Sequence, residues 1–246
     1  MLSRWGRNFW RIVQKEHFNP GLLGIFINPF YFARKGLYLS IKALAPHIKG
    51  KTLDVGCGLK PYEGLFDSTA YIGLEIDSPE NRKNKKAEFF YDGNHFPFQS
   101  NEFDSLVANQ VLEHVFNPDD FLSEIIRVLK IGGNMLLTVP FVWDEHDQPF
   151  DYARYSSFGL KHLLEKHGFE VIESRKTVND VRLLFQLFNE YVYKVTRFKN
   201  PYADLFATVV IRAPFHILGE LIYRIFPKNN DLYLDNVVLA RKGRSA

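Results

Sequence analysis

Cysteine is almost missing from the 246-residue chain, where Cys57 stands alone. That excludes an internal disulfide and gives no support for a thiolate-built zinc site, which draws several ligands at short spacings. A reducing, cytoplasmic setting is expected. Acidic residues are nearly absent from the first fifty positions, where Glu16 stands against eight Lys and Arg. That segment carries +7, which leaves −4 for the remainder of a chain whose net charge is +3. Long apolar runs are missing as well. The longest stretch without Asp, Glu, Lys or Arg, His17–Ala33, is broken by Asn19-Pro20 and Asn28-Pro29. It is too interrupted for a spanning helix of about 20 apolar residues, and no small-x-small cleavage site follows it to make a signal peptide. There is no internal repeat and no low-complexity block. At 46% apolar and 24% charged residues, the composition is that of a folded domain and excludes a disordered or collagen-like chain.

What the front segment does hold is an aromatic and basic arm with Trp5, Phe9, Trp10, Phe18, Phe26, Phe30, Tyr31 and Phe32. Such an arm packs on its own domain, covers a pocket or lies at a membrane surface. From Lys51 onward, short apolar runs at Thr52–Val55, Tyr71–Leu74, Glu88–Tyr91, Ser105–Ala108 and Met135–Val139 alternate with helical patterns. That alternation predicts a parallel α/β sheet. The clearest helix begins at Asn117-Pro118, with Asn117 as cap and Asp119 and Asp120 matching the positive helix end. Leu122, Ile125, Ile126 and Leu129 follow at helical spacing, and Gly132-Gly133 is expected to stop the helix. Residues 143–155 have no period and read as a loop. A helix capped by Ser156 or Ser157, a strand over Phe169–Ser174 and a helix over 181–196 follow. The apolar stretch 204–226, broken by Arg212, Glu220 and Arg224 and kinked at Pro214, is not read as a span. Tyr233–Ala240 reads as a final strand, and the tail 241–246 is expected to fray.

Leu53-Asp-Val-Gly-Cys-Gly58 ends the first strand in a glycine turn, and Glu75 and Asp77 close the second about twenty residues later. Gly56 and Gly58 let a nucleoside approach the backbone, and a carboxylate at Glu75 can accept both ribose hydroxyl bonds. A dinucleotide site wants a third glycine where this chain has Pro61, so the pyrophosphate position is spoiled. Asp54, just before the turn, is poorly placed for a phosphate; it can organise the loop or meet an ammonium group. Read singly, Asp92-Gly93 is a turn, Asn109 and Gln110 cap a helix, and Glu75 is a solvated strand end. Together they fall at successive strand ends, where open α/β sheets bind ligands.

With Gly73-Leu-Glu75, Tyr91-Asp-Gly93, Phe96-Pro-Phe98, Glu102-Phe-Asp104, Val111-Leu-Glu-His-Val115 and Arg127-Val-Leu-Lys-Ile-Gly-Gly133, residues 50–175 resemble the class I S-adenosylmethionine-dependent methyltransferases of the broad type 11 group. The resemblance implies a Rossmann-like, doubly wound seven-stranded sheet, mostly parallel with the last strand antiparallel. It implies S-adenosyl-L-methionine as cofactor, with Asp54, Gly56, Cys57 and Gly58 near its methionine part and Glu75 and Ile76 at the ribose. Asp92 and Gly93 fall near the adenine, and Asn109 and Gln110 line the cofactor. The chain departs from the pattern in Leu59-Lys60-Pro61 and in carrying Glu75 where Asp is common. The expected organisation is an arm over 1–49 and a methyltransferase domain over 50–246, with an apolar helical insertion at about 176–231.

A sulfonium already activates its methyl group, so the protein supplies alignment and exclusion of water, and a base for a hydroxyl acceptor. His146, in the loop after the fifth strand, is the first candidate and His114 the second. Trp143, Asp147, Asp151, Tyr152, Arg154 and Tyr155 are candidates for holding the acceptor, against an Asp151–Arg154 ion pair that merely shapes the loop. The His-Asp spacing fits no metal template, so none is expected. The acceptor is expected to be a small molecule, a glycan or a lipid-linked compound, methylated at oxygen. The arm and insertion would make peripheral contact with the inner face of a membrane, or else a homodimer interface. Nucleic acid is disfavoured because Asn109-Gln-Val-Leu replaces the Asn/Asp-Pro-Pro-aromatic turn of base amino-methylating enzymes. The alternatives carried are an RNA-directed methyltransferase, a nicotinamide-dependent oxidoreductase on a similar sheet and a catalytically silent interaction module.

Overall fold

The computed structural model describes residues 4–244. The side chain of Trp5 and the tail residues Ser245 and Ala246 lie outside the described residues. The described residues form two compact units, residues 40–175 with 235–244, and residues 4–39 with 176–234.

The first unit is built on seven strands: β1 Lys49–Val55, β2 Asp67–Ile76, β3 Phe89–Tyr91, β4 Phe103–Asn109, β5 Leu129–Pro140, β6 Phe169–Lys176 and β7 Asp235–Lys242. Their order is β3-β2-β1-β4-β5-β7-β6, with the pairs from β3 to β5 parallel and β7 antiparallel to β5. The doubly wound, mostly parallel sheet expected from the sequence is therefore present. Parallel strands covered on both faces carry continuous apolar runs, and Leu53, Val55, Leu74, Leu106, Ala108, Leu137 and Val139 are all buried in one core. Removing one such side chain, as in Leu106→Ala, costs about 2–5 kcal/mol.

Register sets the functional edge. Val55 pairs with Leu74 on one side and Ala108 on the other, Glu75 pairs with Phe90, and Asn109 pairs with Thr138. Gly56, Glu75, Asn109 and Thr138 thus come to the same carboxyl edge of the sheet.

The helices along the chain are α1 Arg4–Phe18, α2 Gly24–Ile27, α3 Tyr31–Leu44, α4 Pro79–Asn84, α5 Pro118–Val128, α6 Ser157–Lys166, α7 Arg182–Thr196, α8 Pro201–Ala207 and α9 Ala213–Ile222. Two expectations about α5 need correction. Asn117 occupies the N-cap position but makes no side-chain cap; its amide donates to Asp120 Oδ2 instead. Gly132 and Gly133 do not end the helix, which stops at Val128. They lie inside β5, where the register jumps from Phe103–Leu129 to Ser105–Asn134, and Gly132 adopts φ +77° at that bulge. Ser156 does cap α6, accepting the Gly159 N–H at 3.2 Å.

The second unit joins the arm to the segment between β6 and β7. Gln186 of α7 accepts from the Phe32 N–H and donates to the Pro29 carbonyl, while the buried Asn28 amide donates to the Glu16 carbonyl. These bonds satisfy the backbone that Asn28-Pro29 frees. The stretch from Pro201 to Ile222 is helical throughout and is long and apolar enough to cross a membrane by those two measures. A π-helical turn at Thr208–Arg212 interrupts it. Arg212 there is fully buried and donates to Thr208, Thr196 and Asp204.

Candidate active site

The turn after β1 is fixed by its neighbours on β2. The Gly56 N–H donates to the Leu74 carbonyl at 2.8 Å, and the Gly58 N–H donates to Glu75 Oε1 at 2.6 Å. Glu75 is buried and points at the glycines, as the nucleoside reading requires. Gly56 and Gly58 both have left-handed φ, +66° and +53°. Their roles differ from the expectation that both clear space for a ligand. A Cβ on Gly56 would lie 2.5 Å from Val111 Cγ2, so this glycine lets the segment after β4 close on the turn. A Cβ on Gly58 meets nothing within 4 Å, so only the second glycine faces open space.

Asp54 is buried one residue before the turn and accepts the Tyr71 hydroxyl at 2.8 Å. Burial pushes its pKa up to about 7, opposed by the Tyr71 bond and Lys60. The Cys57 side chain is buried against Gly73, and burial with the nearby Asp54 pushes its thiol up to about 12. A thiol held protonated packs and does not attack. Lys60, part of the departure from the family pattern, adopts φ +54° and places its ammonium on both Glu88 oxygens at 2.6 Å. Glu88 also accepts the Gly73 N–H, so this brace ties the turn to β2. Neither Tyr71 nor Lys60 was singled out from the sequence, because both act through register that only the fold provides.

Around the rest of the edge, Asp92 Oδ1 accepts the N–H groups of Asn94 and His95, and Gly93 takes φ +90°. Those two backbone bonds hold the Asp92 carboxyl below the usual range. Asn109 and Gln110 cap no helix. Thr138 donates to Asn109 Oδ1 at 2.6 Å, and Gln110, at φ +55°, donates from N and Nε2 to Thr138 Oγ1 at 3.1 Å. Ile76, at the end of β2, is half exposed.

The two candidate histidines come together from separate segments. His114 closes a 3-10 turn, Leu112–His114, directly after β4, and its Nδ1 lies 2.7 Å from the Phe150 carbonyl. His146, from the loop after β5, has Nδ1 3.2 Å from the Asp144 carbonyl and 3.3 Å from Asp151 Oδ2. A carbonyl accepts only, so each Nδ1 is assigned the proton, and in the neutral ring Nε2 is the nitrogen with the lone pair. The rings meet edge to face with centroids 4.8 Å apart.

The acceptor-side candidates divide. Asp151 and Arg154 pair through 2.6 and 2.7 Å bonds, and Arg154 also binds the Asp144 and Ala153 carbonyls, so the pair shapes the loop. Arg154 holds the Asp151 carboxyl down at about 2. Tyr155 packs against the core, and Trp143 is half-buried with its carbonyl facing Arg154. Asp147 and Tyr152 are exposed; Asp147 Oδ2 lies 4.0 Å from His114 Nε2, whereas the Tyr152 ring packs edge to face on Phe116 and its N–H is bound to the Glu113 carbonyl. Glu113 was missed, although it stands in the Val111–Val115 motif. It is fully buried, and burial raises its carboxyl to about 8.

A Rossmann-like sheet of this order, with a glycine turn bonded to the acid of the next strand, defines a class I methyltransferase fold. The family model described as "Methyltransferase domain" matches residues 53–137. The chain is 26% identical over 188 residues to the ubiquinone/menaquinone biosynthesis C-methyltransferase UbiE of Ruegeria sp., covering 70% of this chain and 68% of that one. It is 30% identical over 132 residues to a probable S-adenosylmethionine-dependent methyltransferase of Mycolicibacterium smegmatis, covering 48% of this chain and about half, 51%, of the relative's length. Among solved structures, phosphoethanolamine N-methyltransferase 2 of Haemonchus contortus with S-adenosyl-L-methionine shares the fold. Its TM-score is 0.53 at 21% identity, over 90% of this chain and 56% of that one. Residues 53–137 are thus a methyltransferase domain, set in a sheet of the class I, S-adenosylmethionine-dependent type. The nicotinamide alternative falls, in keeping with Pro61 at the place of the third glycine.

Mechanistically, the cofactor supplies an activated methyl group. Gly58, with open space at its Cβ, Glu75, which accepts the Gly58 N–H, Asp54 and the Asn109-Gln110 pair are the groups of this edge that would hold it, Glu75 at the ribose and Asp54 toward the ammonium.

Proposed function

We propose that this methyltransferase alkylates a hydroxyl oxygen on a small-molecule, glycan or lipid-linked acceptor, with the His114–His146 pair governing the acceptor's proton. The observation that carries the reading is the matched tethering of the two imidazoles. Each Nδ1 is engaged by a backbone carbonyl, which makes Nε2 the basic nitrogen of each neutral imidazole. An amine acceptor needs less help at neutral pH than an alcohol, for which such a device is useful. Asp147 and Tyr152 are the exposed groups placed to orient the acceptor. A lipid-linked acceptor is favoured by the helical unit, where Leu184, Tyr191, Phe206, Val210, Leu221 and Ile225 are exposed. On this reading the enzyme works in the cytoplasm against the inner face of a membrane. A screen with methyl-labelled cofactor against glycans, lipid-linked glycans, small alcohols and RNA tests it. Methyl ether formation is expected, and label found on nitrogen, carbon or RNA refutes it. His146→Ala should lower kcat about 10²–10⁴-fold with cofactor affinity nearly intact. Unchanged sedimentation with anionic liposomes after deletion of residues 1–30 would remove the membrane contact.

A further inference from the structure

Glu113, His114 and His146 together form the arrangement that the methyl-transfer reading leaves incompletely explained. One ligand-capable atom from each of these residues lies within 4.8 Å of the others. Glu113 is fully buried, and among the described residues neither of its carboxylate oxygens has a hydrogen-bond partner. An orphaned carboxylate is costly to bury, and its Oε1 lies 3.9 Å from His114 Nε2. The histidines are arranged as ligands are. Metal-binding imidazoles characteristically donate their second nitrogen to a carbonyl or carboxylate, which fixes tautomer and ring orientation. His114 does so to Phe150, and His146 to Asp144 with Asp151 beside it. The exposed Asp147 carboxylate, 4.0 Å from His114 Nε2, stands on the open side.

We propose that Glu113, His114 and His146 form a binding site for a first-row divalent transition metal such as Zn2+. Two imidazoles and one carboxylate are the donor set such ions take, with a position left open for solvent or a substrate oxygen. Zinc bonds of about 2.0–2.2 Å in tetrahedral geometry separate ligand atoms by about 3.3 Å, so the cluster tightens by roughly an ångström or more on loading. The spacing of residues 113, 114 and 146 matches no sequence template because β4 and β5, adjacent in the sheet, bring two separate segments together. An ion there would act as a Lewis acid on the acceptor hydroxyl and would take the place of the imidazole base, since an Nε2 lone pair bound to metal does not accept a proton; that use rests on the methyl-transfer reading, whereas the binding does not.

The test is titration of the untagged, EDTA-stripped chain with Co2+, followed by visible absorption, and with Zn2+ by competition. One ion per chain is expected, with a visible ligand-field band. His114→Ala and His146→Ala should each weaken binding by more than the about 10–100-fold typical of losing an outer-shell partner. Glu113→Gln should weaken it at least tenfold, while His162→Ala, on the exposed face of α6, should leave it unchanged. If Glu113→Gln melts early, the half-exposed loop residue His146 decides the matter. Wild-type uptake no tighter than that of the His114/His146 double alanine variant overturns the site. Parallel titration with S-adenosyl-L-methionine separates the two readings: cofactor binding without metal binding removes the ion alone, and absent cofactor binding removes the methyltransferase reading.

Discussion

If Asp54 faces the cofactor as proposed, cofactor affinity should depend on pH. Its carboxyl is buried one residue before the glycine turn, and burial raises it from 3.8 to about 7. The cofactor's ammonium group, placed near this carboxyl by the methyltransferase reading, is attracted only to the ionised form. With a pKa of about 7, roughly half of the protein carries ionised Asp54 at pH 7 and about one-hundredth at pH 5. Apparent affinity scales with the competent fraction, so the dissociation constant should rise about 50-fold between pH 7 and pH 5. Below pH 7 binding should also release a proton, because a neighbouring cation lowers a carboxyl pKa. Calorimetry in two buffers of different ionisation enthalpy reads both effects. The Asp54→Asn variant should bind weakly with a much flatter profile. A flat wild-type profile, or the full slope retained in that variant, would refute the reasoning. Stability runs the other way. Because the native pKa lies above the unfolded value of 3.8, the protonated group favours the folded state below about pH 4. That contribution, on the order of 4 kcal/mol, is lost as pH rises toward 7 and should be absent from denaturant titrations of Asp54→Asn.

The two glycines of the turn should separate by assay. Gly56→Ala combines left-handed strain with a 2.5 Å clash against Val111, so a loss of about 2–4 kcal/mol is expected in denaturant melts. Gly58→Ala, with open space at its Cβ, should lose only about 1–2 kcal/mol from the strain while weakening cofactor binding; equal melts for the two would contradict the assignment. Glu75→Ala removes the acceptor of the Gly58 N–H and, on the proposed cofactor site, that of the ribose hydroxyls, so calorimetry should show at least about a tenfold loss of affinity. Unchanged affinity would take Glu75 out of the ribose site.

The division between what was legible and what was not follows the range of the interactions. Strand cores such as Leu53–Val55 and Leu106–Ala108 announce themselves because burial on both faces leaves a local apolar signature, and Gly56, Gly58 and Glu75 because strand ends and turns are punctuated locally. The glycines at 132 and 133 misled because a helix stop and a strand bulge use the same residue for the same left-handed backbone, and only pairing with β4 distinguishes them. Asn117 misled for a related reason: its amide found a partner in Asp120, an option that propensity does not encode. The site's remaining content is long-range in sequence. Tyr71 reaches Asp54 across 17 positions, Thr138 reaches Asn109 across 29, and Phe150 reaches His114 across 36. Glu113 was readable as part of a motif but not as a buried, unpartnered acid, since burial and the absence of a partner are set by the packing of the fold and not by local pattern. The arrangement of this edge therefore belongs to the pairing of strands: the glycine turn is marked locally, and the register decides which charges stand beside it.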